Sequence, residues 1–353
     1  MDDDRSGSSV CAAELQGRVF RFGRKDGSEI GRVTLAAEGA IAGYRNDNER
    51  SWSVVEGRLA FYNAEKETTT IFDRVGDVEG GWAFLGDFLL AGEVAWHTLH
   101  EIVASKPERV LDQLATELYG GESPFEYADP THIDQGYPHT NLIPDVIRAV
   151  LDTAQPRFWL EIGTMLGGSA IHVAELVKAA KLPTDVICID PFCGDVNMWA
   201  WEQPDRKAGK WRHLRLERGR PTIYDRFLAN VRSSGHQDCI LPIVATSIVG
   251  IKLLKRLLAE RRIDRLPDVI YLDSAHEEGE TFLELQTCWD LLGSGGILIG
   301  DDWSWDAVRS DVTRFARTVA LNATLVERLE TAHPDFSTHE NVLLDRGQWL
   351  LAK

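Results

Sequence analysis

Over residues 17–90 apolar and polar positions alternate in short runs, at 19–22, 31–35, 51–55, 59–63, 68–72 and 82–85. Turn-forming stretches such as Asn46-Asp47-Asn48 and Glu56-Gly57 separate them. A period of two broken by turns at this spacing predicts an all-β accessory domain, a sandwich or small barrel. The polar residues ahead of it, 1–16, are predicted as a disordered tail. Helical periodicity follows at 92–104 and 107–119, and then a polar stretch, 120–140, interrupted by Pro124, Pro130 and Pro138. Residues 91–143 are therefore read as a helical and loop connection.

After Pro144 the pattern changes. Short, partly β-branched apolar runs at 158–162, 186–189, 240–244, 269–272 and 297–299 alternate with amphipathic segments at 169–180, 221–233, 248–262 and 277–292. Gly235 and Gly293 close two of these segments, as glycines do at helix C-termini. Strands alternating with crossover helices predict a parallel sheet. With two terminal strands at 323–329 and 348–352, residues 144–353 should form an α/β, doubly wound, mostly parallel sheet of seven strands in the Rossmann-like manner.

Charge narrows the partners. The 38 Lys and Arg against 55 Asp and Glu leave a net charge of −17, which opposes binding to nucleic acid or an anionic membrane. Five cysteines (Cys11, Cys188, Cys193, Cys239, Cys288) are odd in number, scattered, and form no CxxC pair, so reduced thiols of a cytoplasmic protein are expected and a zinc-finger site is not. The acidic, polar start is unlike a leader peptide, and no apolar run approaches the roughly 18 residues of a membrane span.

The most informative stretch is Trp159-Leu160-Glu161-Ile162-Gly163-Thr164-Met165-Leu166-Gly167-Gly168-Ser169, a buried strand running through a glycine turn into a helix. Gly163 permits the tight turn, and Gly167-Gly168 let the backbone approach a ligand at the helix start. The spacing is not GxGxxG and no Lys-Ser/Thr follows, which disfavours a dinucleotide dehydrogenase and a P-loop NTPase. The next strand ends in Asp190, placed to accept ribose hydroxyls. With these residues the chain resembles the class I S-adenosylmethionine-dependent methyltransferases. The resemblance implies cofactor binding by Glu161, Gly163, Gly167 and Asp190. Departure from the common E/DxGxGxG form leaves open which loop amides touch the cofactor.

A second group lies at the next strand ends: Tyr271-Leu272-Asp273-Ser274-Ala275-His276, then Gly300-Asp301-Asp302-Trp303. Adjacent strands lie about 5 Å apart, so Asp273, Asp301 and Asp302 should converge on one edge of the cleft and repel unless a hard divalent cation such as Mg²⁺ joins them. Here the resemblance narrows to the macrocin-type sugar O-methyltransferases. It implies Asp273, Asp301 and Asp302 as metal ligands, with His276 as the catalytic base beside Asp273. The long aromatic loop after Asp190 offers Asp195 and Asn197 for substrate hydroxyls and Trp199 and Trp201 for stacking on a sugar, with Tyr137 and Asn141 closing the other side. His333 and His339 are expected as surface or capping residues. The expected activity is metal-assisted methyl transfer from S-adenosylmethionine to a hydroxyl of a sugar, glycan or glycosylated natural product, in a homo-oligomer; the β domain would either bind an acceptor glycan or build that oligomer. The alternatives are a non-catalytic cofactor- or carbohydrate-binding scaffold and a hydroxylase of the cephalosporin type.

Overall fold

The computed structural model describes residues 9–44, 46–78, 81–90, 95–102, 109–134, 142–200, 210–274 and 276–353. Two units emerge: Met1–Glu108 with Arg256–Ile263, and Arg109–Lys255 with Asp264–Lys353. No described helix is long and apolar enough to cross a membrane.

In the first unit a short helix, α1 (Ala12–Leu15), precedes β1 (Val19–Arg24), β2 (Glu29–Leu35), β3 (Ile41–Ala42), β4 (Ser51–Val55), β5 (Arg58–Tyr62), β6 (Thr68–Val78), β7 (Gly81–Phe88) and β8 (Ala95–Glu101). They pair in the order β3-β2-β1-β8-β7-β6-β5-β4. A bridge between Ala40 and Ser51 joins the two ends of that order, so the sheet curls almost into a barrel. Alternation turns Phe20, Phe22, Val33, Leu35, Leu59, Phe61, Phe72, Phe84 and Leu99 into one core. Phe61 meets Phe72 edge to face at 4.9 Å, the arrangement that ring quadrupoles favour.

Two expectations change here. The helix predicted over 92–104 is, where described, strand β8, with His97 and Leu99 inward. Apolar and polar residues at 95–101 fit either period in so short a run, and hydrogen-bonding partners on both sides, β1 and β7, decide for the strand. His97 enters the core because its Nδ1 lies 3.0 Å from the Thr70 hydroxyl. Of the tail predicted as disordered, residues 9–16 are packed: Val10 and Leu15 are buried, and the Val10 amide donates to the Gly57 carbonyl.

The second unit opens with α2 (Val110–Tyr119) and α3 (Pro144–Ala154) and continues through β9 (Phe158–Ile162), α4 (Gly168–Ala179), β10 (Asp185–Asp190) and α5 (Val196–Trp199). A small hairpin, β11 (Leu216–Glu217) with β12 (Arg220–Pro221), leads into α6 (Ile223–Ser234), β13 (Ile240–Val244), α7 (Ser247–Ala259), β14 (Val269–Leu272), α8 (Glu280–Leu291) and β15 (Ile297–Gly300). The chain ends with α9 (Asp306–Ala316), α10 (Ala323–Ala332), β16 (Ser337–His339), β17 (Val342–Asp345) and β18 (Gln348–Ala352). The sheet order is β13-β10-β9-β14-β15-β18-β17-β16. The first five strands are parallel and the last three join antiparallel. Every residue of β9, β10, β14 and β15 is buried, as strands covered on both faces must be.

The sheet thus has eight strands, not seven, and is mixed. The run at 323–329, predicted as a strand, is the helix α10: Leu325 and Leu329, four apart, face the core, and Asn322 caps its start by accepting the Leu325 amide. His333 is not a surface residue; it is buried with its Nε2 2.9 Å from Asp345 Oδ2, whereas His339 is exposed. Chain order reverses between β9 and β14, and their carboxyl ends open the crevice in which such sheets bind ligands.

Gly300, the last residue of β15, has no room for a side chain. An added Cβ would lie 2.1 Å from Trp349 Cζ2, and that indole is pinned by its hydrogen bond to the Asp301 carbonyl. Gly300→Ala should destabilise the protein by about 1–3 kcal/mol, read as a lower urea midpoint at unchanged slope.

Candidate active site

The glycine turn is shaped by backbone contact. Gly163 has φ +86°, and a Cβ there would stand 2.0 Å from the Asp273 carbonyl, so the ends of β9 and β14 meet at a distance only glycine allows. Gly167, also at positive φ, begins α4 with a would-be Cβ 3.0 Å from the Phe227 ring. Asp190 ties this turn to the loop after β10: its carboxylate accepts the Met165 amide at 2.8 Å and the Phe192 amide at 2.5 Å. Both partners, like Asp302, hold positive φ without being glycine, so three strand ends share unusual backbone around the crevice.

The crevice measures about 640 Å³. Gly163, Gly168 and Asp190 line it; Glu161 and Gly167, implied as cofactor residues, stand behind the lining. Glu161 is fully buried and accepts the Ser169 hydroxyl at 2.6 Å. Burial pushes its carboxyl up to about 8, so it holds a proton at neutral pH and braces the turn from within.

Beside the glycine turn Asp273, His276 and Asp302 bring ligand atoms within 4.8 Å of one another. Asp301, expected in that set, is not a member. Asp301 turns inward to accept the Asp302 amide at 2.8 Å, and the chain bends at Asp302, whose φ is +59°. The group whose geometry could hold a metal ion is therefore Asp273 and Asp302 with His276, without Asp301. His276 lies between two acids: Nε2 is 2.6 Å from Asp302 Oδ2, and Nδ1 is 3.5 Å from Asp195 Oδ2. Burial opposes its charge, but hydrogen bonds to Asp195 and Asp302 outweigh that and raise it to about 10. Burial and the neighbouring Asp301 and Asp302 push Asp273 up to about 7, with the Tyr271 hydroxyl donating to it at 3.0 Å.

Asp195 also caps α5 by accepting the Met198 amide. Trp199 does not line the crevice; its indole donates to the Cys193 carbonyl at 2.7 Å and stands edge-on to Trp211. Tyr137, Asn141, Trp201 and the side chain of Asn197 lie outside the described residues.

Several site residues carry no motif. Trp305 lines the crevice with its ring 5.0 Å from the His276 ring. Glu284, buried on α8, accepts the Ser274 hydroxyl at 2.8 Å and also lines it. Asp311 on α9 accepts the amides of Gly279 and Phe282, which fixes the start of α8 just after His276. Glu284 and Asp311 share a signal in the sequence, an acid on a largely apolar helical stripe: Glu284 among Thr281, Leu285 and Cys288, and Asp311 among Val308, Val312 and Phe315.

Residues 160–303, which build this crevice, match a family model described as a methyltransferase domain. Over these residues the chain is similar to a methyltransferase domain. A comparison with curated proteins found no match. Among solved structures, similar chains include an O-methyltransferase from Bacillus cereus in complex with S-adenosylhomocysteine, at 14% identity over 69% of this chain and 96% of that one, with a TM-score of 0.40. TomG from Streptomyces achromogenes, an O-methyltransferase involved in tomaymycin synthesis, is 15% identical over 70% and 98%, with a TM-score of 0.36. CalS11, a calicheamicin methyltransferase, is 16% identical over 71% and 94%, with a TM-score of 0.37.

The clasped histidine gives stability a pH signature. His276 is raised from 6.5 to about 10 in the folded chain, so its stabilising contribution is complete below pH 6.5 and is lost as pH climbs to about 10. In chelator, the melting-temperature gap between wild type and His276→Gln should be widest below pH 6.5 and close on the alkaline side; a gap that widens with pH contradicts the clasp.

Proposed function

We propose that the protein transfers a methyl group from S-adenosylmethionine to a hydroxyl of a sugar, glycan or glycosylated natural product, assisted by a divalent cation such as Mg²⁺. The observation that carries this reading is the charge of the crevice. Asp190, Asp195, Asp273, Glu280, Glu284 and Asp302 line it, and among the described lining residues there is no lysine or arginine. Such a wall repels phosphate groups and favours a sulfonium and a hard cation.

The residues fit both groups. The turn at Gly163 and Gly168 leaves the backbone bare at the helix start, and Asp190, with one amide on each oxygen, keeps lone pairs for ribose hydroxyls. When bound, S-adenosylmethionine supplies a methyl group activated by its positive sulfur. Asp273, His276 and Asp302 would hold the cation, which when bound polarises the acceptor hydroxyl. Trp305 offers a flat face beside them, and Asp195 a carboxylate for a second hydroxyl. Aligning hydroxyl and methyl in one crevice contributes much of the acceleration.

The proton of the hydroxyl has two acceptors within reach. His276 takes it only when neutral, and without a cation the clasp between Asp195 and Asp302 keeps it charged at neutral pH. Asp273, held at about 7, favours a second, cation-free reading in which it is the base and a charged His276, which cannot ligate a metal, supplies the positive charge of the crevice.

The test is incubation with methyl-labelled cofactor and a panel of glycans and natural-product glycosides, with and without chelator. Label on a hydroxyl, lost in chelator and restored by Mg²⁺, is expected. Full transfer in chelator removes the cation from the mechanism, and no transfer to any acceptor favours the scaffold. Asp302→Asn should abolish the Mg²⁺ response. Asp301→Asn should keep it while weakening Mg²⁺ binding by about 10- to 100-fold, as for a group that orients a ligand without being one.

Asp190→Ala should weaken S-adenosylhomocysteine binding by about 10- to 150-fold in calorimetry, since it removes the ribose acceptor and frees the two loop amides together. Unchanged affinity would take Asp190 out of the cofactor site.

A further inference from the structure

Helix α6 turns Ile223, Phe227 and Val231 into the apolar core, as its four-residue spacing requires. The strip beside them is different. Arg226 is 1% exposed and Asn230 is 5% exposed, one turn apart. Burying a guanidinium is costly unless its partners are close, and here they are specific. Arg226 donates to Asp134 Oδ2 at 3.1 Å and to the backbone carbonyl of His213. Asn230 accepts the Asp134 amide at 3.0 Å and donates to the Leu166 carbonyl at 3.0 Å.

These bonds end on segments of the crevice. Leu166 lies within the glycine turn, and His213 lines another part of the wall. Asp134 joins the two sets, being held by both Arg226 and Asn230, and Arg215 reaches it as well at 2.8 Å. Three of the bonds involve backbone atoms, so neither segment can shift without leaving a buried donor or acceptor unmet. Apolar side chains on this strip would fill the space but fix neither loop.

We propose that Arg226 and Asn230 are positioning residues that couple the glycine turn to the wall carrying His213, so that filling the cofactor end of the crevice also orders that wall. The inference rests on the cofactor reading above. It assigns the coupling to a contiguous hydrogen-bond path, which is testable by exchange.

Hydrogen–deuterium exchange on the full chain, with and without S-adenosylhomocysteine, is the test. In wild type the ligand should slow exchange at residues 163–168 and also at 211–216. In Asn230→Ala the response at 211–216 should vanish, the response at 163–168 should persist, and the dissociation constant should rise about 5- to 50-fold. Arg226→Lys keeps the charge but meets only one of Asp134 and the His213 carbonyl, and should lose the same response. Unchanged exchange in β9 and β14 is expected in both variants; protection lost throughout the sheet would mark a purely structural role and overturn the proposal. A wild type in which 211–216 ignores the ligand, or variants that keep the response, would overturn it alone. Absence of ligand binding to wild type would overturn the cofactor reading together with it.

Discussion

Carboxylates crowded at the ends of parallel strands set the terms for everything around them. Glu161, Asp190, Asp273, Asp301 and Asp302 all stand at the carboxyl ends of β9, β10, β14 and β15. Each is dealt with separately. Glu161 keeps a proton and a serine hydroxyl, Asp190 accepts two backbone amides, Asp273 accepts the Tyr271 hydroxyl, Asp301 accepts the next residue's amide, and Asp302 pairs with His276. The turns, the positive-φ residues and the placement of His276 follow from the need to aim N–H groups at these oxygens.

Much of this was legible in the sequence because strand, glycine turn and terminal acid follow one another at short range. Gly163, Asp190, Asp273, His276 and Asp302 fall where the periodicity puts strand ends, and the structure brings them to one crevice. What the sequence hid has physical causes. That His276 rather than Asp301 joins Asp273 and Asp302 depends on the bend at Asp302, whose positive φ turns it away from Asp301, and no motif marks such a bend. Strand β8 and helix α10 were misjudged because seven- to ten-residue apolar runs fit either period, and only pairing partners or a packed face decide. Glu284, Asp311, Arg226 and Asn230 were invisible as motifs, since each is defined by what it meets across the fold.

The two units solve burial differently. In the β unit the near closure between Ala40 and Ser51 spares the sheet two open edges, and aromatic rings fill the space inside. In the α/β unit helices cover both faces of the parallel strands, and the antiparallel trio β16, β17 and β18 extends one side. His97 and His333 are both buried, and each places one ring nitrogen beside a polar partner, the Thr70 hydroxyl and Asp345 Oδ2.

The contact between Gly163 and the Asp273 carbonyl also bears on how such a protein could be retargeted. One backbone layer separates the glycine turn from the acid group, so neither strand end can be rebuilt without moving the other. The segments that follow β10 are under no such restraint: Val196 and Trp199 are exposed, and the wall at 210–216 is tied down by a few named bonds. On the proposed reading, substitutions aimed at a different acceptor would be borne by those loops, while the strand ends stay fixed.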